Sequence, residues 1–375
     1  MHTDILIIGG GLSGLTATWQ LRSAGIDASL FEARPRFGGR ILTVGEADCD
    51  LGPSWFWPGQ PLVASLLEHF KIPYYEQFAA GALLFQQADG VIERIVHTSP
   101  MAGSLRIQGG INRLTDKISL EIDESHRFLS HVVNGLSIDG DKVKVDVIGP
   151  FGERQVTARQ VALAIPPRLA ADLNYSPDLP EASQRTLAET PTWMAGHAKF
   201  FAVYEKPFWR QQGLSGSVIS QRGPLAEIHD ASPEHGNVFS LFGFCGMDAS
   251  RRELVGQTEL TDQALAHLVE IFGQQASSPD SVYLQDWSNE KFTASSSDRA
   301  PQNHHPRYGL NLDPGDAWQG RLDFISTEAS FSNGGLIEGA LQAGLRFSER
   351  CTGRKMSRID DANAPHTASM SWDWL

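Results

Sequence analysis

The chain has 375 residues, 41% of them hydrophobic and 20% charged, which is enough to bury a sizeable core in two domains and carries no signature of disorder. A formal net charge of -13 argues against nucleic acid or an anionic membrane surface as a partner, and no apolar run approaches the ~20 residues of a membrane span. The sequence enters its first strand without an export signal, and Cys49, Cys245 and Cys351 are isolated; a cytoplasmic protein without disulfides or a metal site is expected.

Residues 5–8 are continuously apolar and β-branched, as in a strand buried on both faces. Gly9, Gly11 and Gly14 then fit G-x-G-x-x-G, and residues 12–21 carry apolar side chains at helical spacing. The first glycine permits a tight turn, the second lets backbone approach a pyrophosphate, and the third lets helix pack on strand. An anion would lie on the helix N-terminus, where free N–H groups and the dipole favour it. The next strand, "DASLFEA", ends on Glu32, about 20 residues beyond the glycines, where an acidic side chain takes ribose hydroxyls. NAD and FAD both fit this unit. After it, "ARPRFGGR" places Arg34, Arg36 and Arg40 around Gly38 and Gly39, either as a second phosphate-approaching turn or as a solvated basic loop.

Further along, "HVVNGLSI", "KVKVDVIG" and "RQVALAI" read as strands, the last stopped by Pro166-Pro167. Residues 191–287 change character, with the strands "HAKFFAVY" and "NVFSLFGFC" and one helix in "LTDQALAHLVEIF". A second strand–glycine–helix unit closes the chain, "RLDFIST" followed by "GGLIEGALQAGLRFSE". The two units predict an α/β architecture: one Rossmann-like domain assembled from separated segments, with an α+β domain inserted between them.

The ordered set "IIGGGLSGL", "EARPRFGGR", "DLGPSWFWPGQ", "RIQGGINRL", "VALAIPPRL", "AKFFAVYEKPFWR", "DWSNEKF" and "FISTEASFSNGGLIEGALQAGLRF" resembles the flavin-containing monoamine oxidase family over roughly residues 4–60, 104–210 and 284–348. The resemblance implies FAD and a glutathione reductase type of FAD-binding domain over 1–72, 103–189 and 290–350. A substrate-binding domain would cover 73–102 and 190–289, and a tail 351–375. It further implies that Gly9, Gly11, Leu12, Ser13 and Gly14 hold the pyrophosphate and Glu32 with Ala33 the ribose. Arg34, Gly38, Gly39 and Arg40 would face the phosphate and flavin side, and Val133 the adenine through its backbone. Gly52, Pro53, Ser54, Trp55, Trp287, Ser326, Thr327, Gly335, Leu336, Ile337 and Ala340 would surround the flavin. Lys199 stands at the spacing of the family lysine near flavin N5 and is the expected catalytic residue. A helix N-terminus near Gly335 would favour the reduced, anionic ring.

The sequence departs from the family in several places. Counting from "EGA" and from Trp287, the two tyrosines that frame the flavin in amine-oxidising relatives fall on Leu336 and Ser297. Pro53 and Ser326 replace expected glycines. The cysteine that carries the flavin in some relatives is Ser296, so the FAD is expected to be non-covalent. The cap segment within 73–102 is short. His304 and His305 are read as a solvated loop pair. The activity implied is oxidation of a C–N bond in an amine-like substrate, with hydride transfer to flavin and O2 as acceptor. A flavin desaturase or dehydrogenase, or a non-catalytic flavin-bound partner protein, are the alternatives.

Overall fold

The computed structural model describes residues 1–96, 100–300, 302 and 304–353. Most of the tail expected at 351–375, from 354 onward, therefore lies outside the described residues. Strand β1 (His2–Ile8) runs through the glycines into helix α1 (Leu12–Ser23), and β2 (Ala28–Phe31) lies parallel to β1. Alternation along β1 explains its unbroken apolar run. Ile5 and Ile7 join a core with Leu12, Leu15 and Leu21 of the helix, while Leu6 and Ile8 join another with Val145, Val156 and Leu163. Both faces of this strand are covered, so neither carries polar residues.

Helix α2 (Pro61–His69) follows, and then the long strand β3 (Gly152–Leu163), which organises the first sheet. The second half of β3 is parallel to β1, from His2 opposite Thr157 to Ile8 opposite Leu163, and also pairs with Leu322–Phe324. Its first half is antiparallel to Lys142–Gly149, which pairs in turn with Val132–Asp139. Asn174–Ser176 and Arg127–Phe128 form the two edges. Beyond β3 the chain reaches Pro166, which caps the short helix Pro167–Ala171 and cannot extend the ladder.

The second sheet has seven strands, in the order Ser281–Asp286, β4 (Ala198–Tyr204), Phe239–Cys245, Leu225–Asp230, Leu214–Ser220, Ala82–Gln86 and Ile92–Ile95. On one face, Phe200, Ala202 and Tyr204 pack with Leu260, Ala264 and Leu268 of the helix Gln257–Phe272. On the other, Phe201 and Val203 pack with Leu51 and Trp55 from the segment after β2. Period-two alternation thus puts odd-numbered β4 residues toward the first sheet.

The last helix, α3 (Ile337–Thr352), lies across α1. At their crossing a side chain at Gly344 would come within 2.5 Å of the Ser13 carbonyl, so only glycine allows the helices this close. The buried Glu338 carboxylate accepts from the Leu62 and Val63 N–H groups at 3.0 Å each, capping α2 next to its first residue, Pro61. Burial raises the Glu338 pKa against those two bonds.

Candidate cofactor and active site

A cavity of about 740 Å³ is lined from both sheets, within the range of small-molecule sites. Its nucleotide end is built by the first glycine turn. Gly9 has φ +109, and a side chain there would also strike the Ala164 carbonyl at 2.6 Å. Gly11 is the N-cap of α1 without a side-chain cap, and a Cβ on it would meet nothing within 4 Å. The open space at Gly11 lies where the N-terminal N–H groups of α1 await an anion. The second glycine turn folds onto the first through Gly38 N–H donating to the Gly10 carbonyl at 2.8 Å.

Glu32 is buried just past β2, one carboxylate oxygen accepting from Gly10 N–H at 2.7 Å and the other from Arg34 N–H at 2.8 Å. Each oxygen keeps a second lone pair for a ribose hydroxyl. Gly9, Gly11, Leu12, Ser13, Glu32 and Ala33 line the cavity, as do Arg34, Gly38, Gly39, Arg40 and Val133. Neither lining arginine is a free cation. Arg34 pairs with Glu290 at 3.1 Å and donates to Thr293 Oγ1 at 2.8 Å, and Arg40 pairs with the buried Glu328 at 2.9 Å. Buried guanidiniums need such partners. Arg36 turns away onto the carbonyls of Phe37, Gly39 and Ile41 and braces the loop.

Two expected residues do not line the cavity. Gly14 sits behind it, where a side chain would collide with the Gly9 carbonyl, so its place is in helix–strand packing. Ser326 is buried one residue before the turn Thr327–Ala329, and Thr327 reaches the cavity instead. Thr327 Oγ1 donates to the Leu336 carbonyl at 2.9 Å and pins the glycine turn that opens α3.

At the other end the cavity meets Gly52, Pro53, Ser54, Trp55 and Trp287, and then Gly335, Leu336, Ile337 and Ala340. Trp287 donates from Nε1 to the Leu51 carbonyl at 2.9 Å. Lys199 enters from β4, an interior strand, and is 3% exposed. Its Nζ donates to the carbonyls of Asp50 at 2.9 Å and Gly52 at 2.7 Å, and to Ser54 Oγ at 2.6 Å. The Phe242 ring centroid lies 4.4 Å from Nζ and the Phe244 centroid 5.2 Å. Burial pulls the ammonium down to about 7 against the pull of the Asp50 carboxylate. Asp50 is itself pushed up by burial, with Arg106 3.8 Å away opposing the shift.

Sequence reasoning missed the loop before β4, where Trp193, Met194 and His197 line the cavity, and the residues Trp57, Gln60 and Phe244. His197 stands one residue ahead of β4, in the loop, and reaches the same cavity as Lys199. Nothing in the local sequence marks Trp193. His305 is half-buried, not solvated, because its ring packs 4.8 Å from that of Trp193; His304 is exposed. Leu336 lines the cavity, whereas Ser297 does not.

A glycine cradle after the first strand of a mixed sheet, a buried carboxylate beside it and a buried lysine at the far end of one cavity define a dinucleotide-dependent oxidoreductase. The chain belongs to the family of flavin containing amine oxidoreductases, whose model matches residues 76–352, and residues 7–70 match an NAD(P)-binding Rossmann-like domain. FAD is the cofactor of that family, and the protein is an FAD-dependent enzyme of it. Among curated relatives, a probable flavin-containing monoamine oxidase A of Dictyostelium discoideum is 20% identical, the alignment covering 92% of this chain and 96% of the relative. A flavin-containing amine oxidase of Danio rerio is 23% identical over 92% and 85% of the two chains. In solved structures, putrescine oxidase bound to putrescine superposes with a TM-score of 0.77 at 20% identity, covering 94% of this chain and 100% of that one. Cyclohexylamine oxidase from Brevibacterium oxydans IH-35A gives 0.78 at 19% identity, with 94% and 99% covered. At such identity the likeness shows the fold.

Proposed function

We propose that the protein oxidises the C–N bond of a small amine with dioxygen as the final electron acceptor. The observation that carries this reading is the fully buried Lys199, held by three acceptors at the end of the cavity opposite the nucleotide turn. FAD, when bound, supplies the acceptor for a hydride from the carbon bearing nitrogen and passes the electrons to dioxygen, giving peroxide. The turn at Gly9–Ser13 and Glu32 would hold its pyrophosphate and ribose, and the N-terminus of α3 would set positive potential at the ring. With its proton affinity drawn down to about 7, Lys199 can hold or release a proton at Nζ near neutral pH and place positive charge where oxygen is reduced. Trp287 and Leu336 wall this end against water.

Both structural relatives are named for oxidation of small alkylamines, which supports the substrate class. In this reading the sheet that carries Lys199, from segments 73–102 and 190–289, binds the substrate. The test is anaerobic mixing of the purified yellow protein with a panel of primary, secondary and cyclic amines, followed by air. Bleaching by at least one amine and stoichiometric peroxide on reoxidation are expected. A flavin that no amine bleaches overturns the reading.

A further inference from the structure

The cavity end around Lys199 has an unusual polar inventory. The carboxylates that line the cavity, Glu32 and Asp172, both come from the first sheet and its connections, so an amino group arriving beside Lys199 meets no counter-ion from the second sheet. Several polar groups nearby are already engaged. Lys199 donates to three acceptors, Trp287 Nε1–H is held by Leu51, and the Gln60 carbonyl accepts from Trp57 N–H at 3.3 Å. His197 differs. It lines the cavity and its ring has no hydrogen bond among the described residues; Nδ1 is buried, so Nε2 is the ring nitrogen left for a ligand in the cavity.

The backbone around His197 is clamped on both sides. Arg252, paired with Asp286 at 2.8 Å, donates to the Gly196 carbonyl at 2.7 Å, and Trp287 N–H donates to the His197 carbonyl at 3.0 Å. His197 lies two residues before Lys199, just ahead of β4, and both line the cavity. The Trp193 ring stands 6.3 Å away, backed by His305 and in contact with the turn at Gly335. An imidazole on a clamped backbone, free of hydrogen-bond partners and beside an indole, offers one polar contact to an otherwise apolar ligand.

We propose that His197 receives the amino group of the substrate, its imidazole accepting a hydrogen bond from the amine N–H while Trp193 forms the apolar wall for the carbon body. The assignment rests on the amine-oxidising reading above. Burial, reinforced by the Arg252 charge, draws the imidazole down to about 4, so the ring is neutral and able to accept at working pH. It names the residue that selects the amine nitrogen, at a place where neither Leu336 nor Ser297 offers the tyrosine rings of amine-oxidising relatives.

The test uses the FAD-loaded protein and two variants, His197→Phe, which keeps a ring and removes both nitrogens, and His197→Asn, which restores a polar acceptor. The probe is tert-butylamine, which lacks a C–H on the carbon bearing nitrogen and therefore binds without turnover; its affinity is read from perturbation of the flavin spectrum and by calorimetry. His197→Phe is expected to keep its FAD and melting temperature while Kd rises about tenfold, the scale of one lost hydrogen bond, with His197→Asn recovering part of the loss. In anaerobic reduction the apparent Kd of oxidisable amines should rise by a similar factor, with a smaller change in the limiting rate. An unchanged Kd in His197→Phe overturns the assignment while leaving amine oxidation intact. Loss of FAD from both variants makes His197 a structural residue and also overturns it. If no amine bleaches the wild-type flavin, the underlying reading fails and the assignment with it.

Discussion

Lys199 concentrates the electrostatics of the site in one side chain. In the unfolded chain it holds its proton to the ordinary value of 10.5, in the fold only to about 7. Between those values the unfolded state binds more protons, so folding is penalised at low pH and relieved as pH rises through that window. Stability measured against pH should therefore climb from about 7 to 10.5 in the wild type and stay flatter in Lys199→Met, as chemical denaturation at each pH will show. The same variant should slow flavin reoxidation markedly at unchanged FAD content in stopped flow, and abolish a decline in that rate as pH rises through about 7. Equal reoxidation rates would reduce the lysine to a strand residue. Glu32→Ala should purify folded but depleted of FAD, because charge-assisted bonds to ribose hydroxyls are worth roughly 1.5–3 kcal/mol each; full flavin after gel filtration contradicts the ribose assignment. In the sequence Glu32 was marked by its distance to the glycines, and Lys199 by the family resemblance that "AKFFAVYEKPFWR" carries. The pairing of Arg34 with Glu290 and of Arg40 with Glu328 was not, since 256 and 288 residues separate the partners.

At the level of elements, the two glycine-opened helices work as a unit. The crossing of α1 and α3 is set by Gly344 against the Ser13 carbonyl, and Ser13 Oγ donates to the Ile325 carbonyl just before the second turn. A methyl at 344 must push α3 outward, carrying with it the Gly335–Ile337 end that lines the cavity. Gly344→Ala should cost about 1–3 kcal/mol, the usual price of overpacking, and weaken FAD retention as well. Thermal melts with flavin fluorescence measure both, and a stable variant that retains FAD would show the crossing to be compliant. Strand and helix types were readable from periodicity here, whereas the crossing partner was not. Glycine spacing in α3 marks a place for close approach but not which backbone approaches.

Across the whole molecule, the cavity couples the two sheets, with Gly9 and Glu32 on one and Lys199 and Phe244 on the other. A ligand that binds only the folded form adds about 2.7 kcal/mol at a hundredfold excess over Kd. Stripping the flavin should therefore lower a single melting transition, and adding FAD back should restore it; a second transition indifferent to FAD would mean that the sheets unfold independently. Among the described residues no cysteine lines the cavity, and Cys49 and Cys245 are buried elsewhere. Acid precipitation should accordingly leave a yellow supernatant, and flavin retained in the washed pellet would contradict non-covalent binding.

By itself the sequence determined the nucleotide unit, its acidic partner and the order of strands and helices, because turn, cap and periodicity act over a few residues and leave their spacing in the chain. It also carried the family resemblance that separated FAD from NAD. Only the tertiary structure decided which of the expected side chains face the cavity. It placed Gly14 and Ser326 off the cavity wall, paired the arginine charges with the carboxylates of Glu290 and Glu328, and brought His197, Trp193 and His305 into one cluster. Those outcomes depend on desolvation and close packing between segments far apart in sequence, and a buried charge or ring takes whichever partner the fold delivers to it.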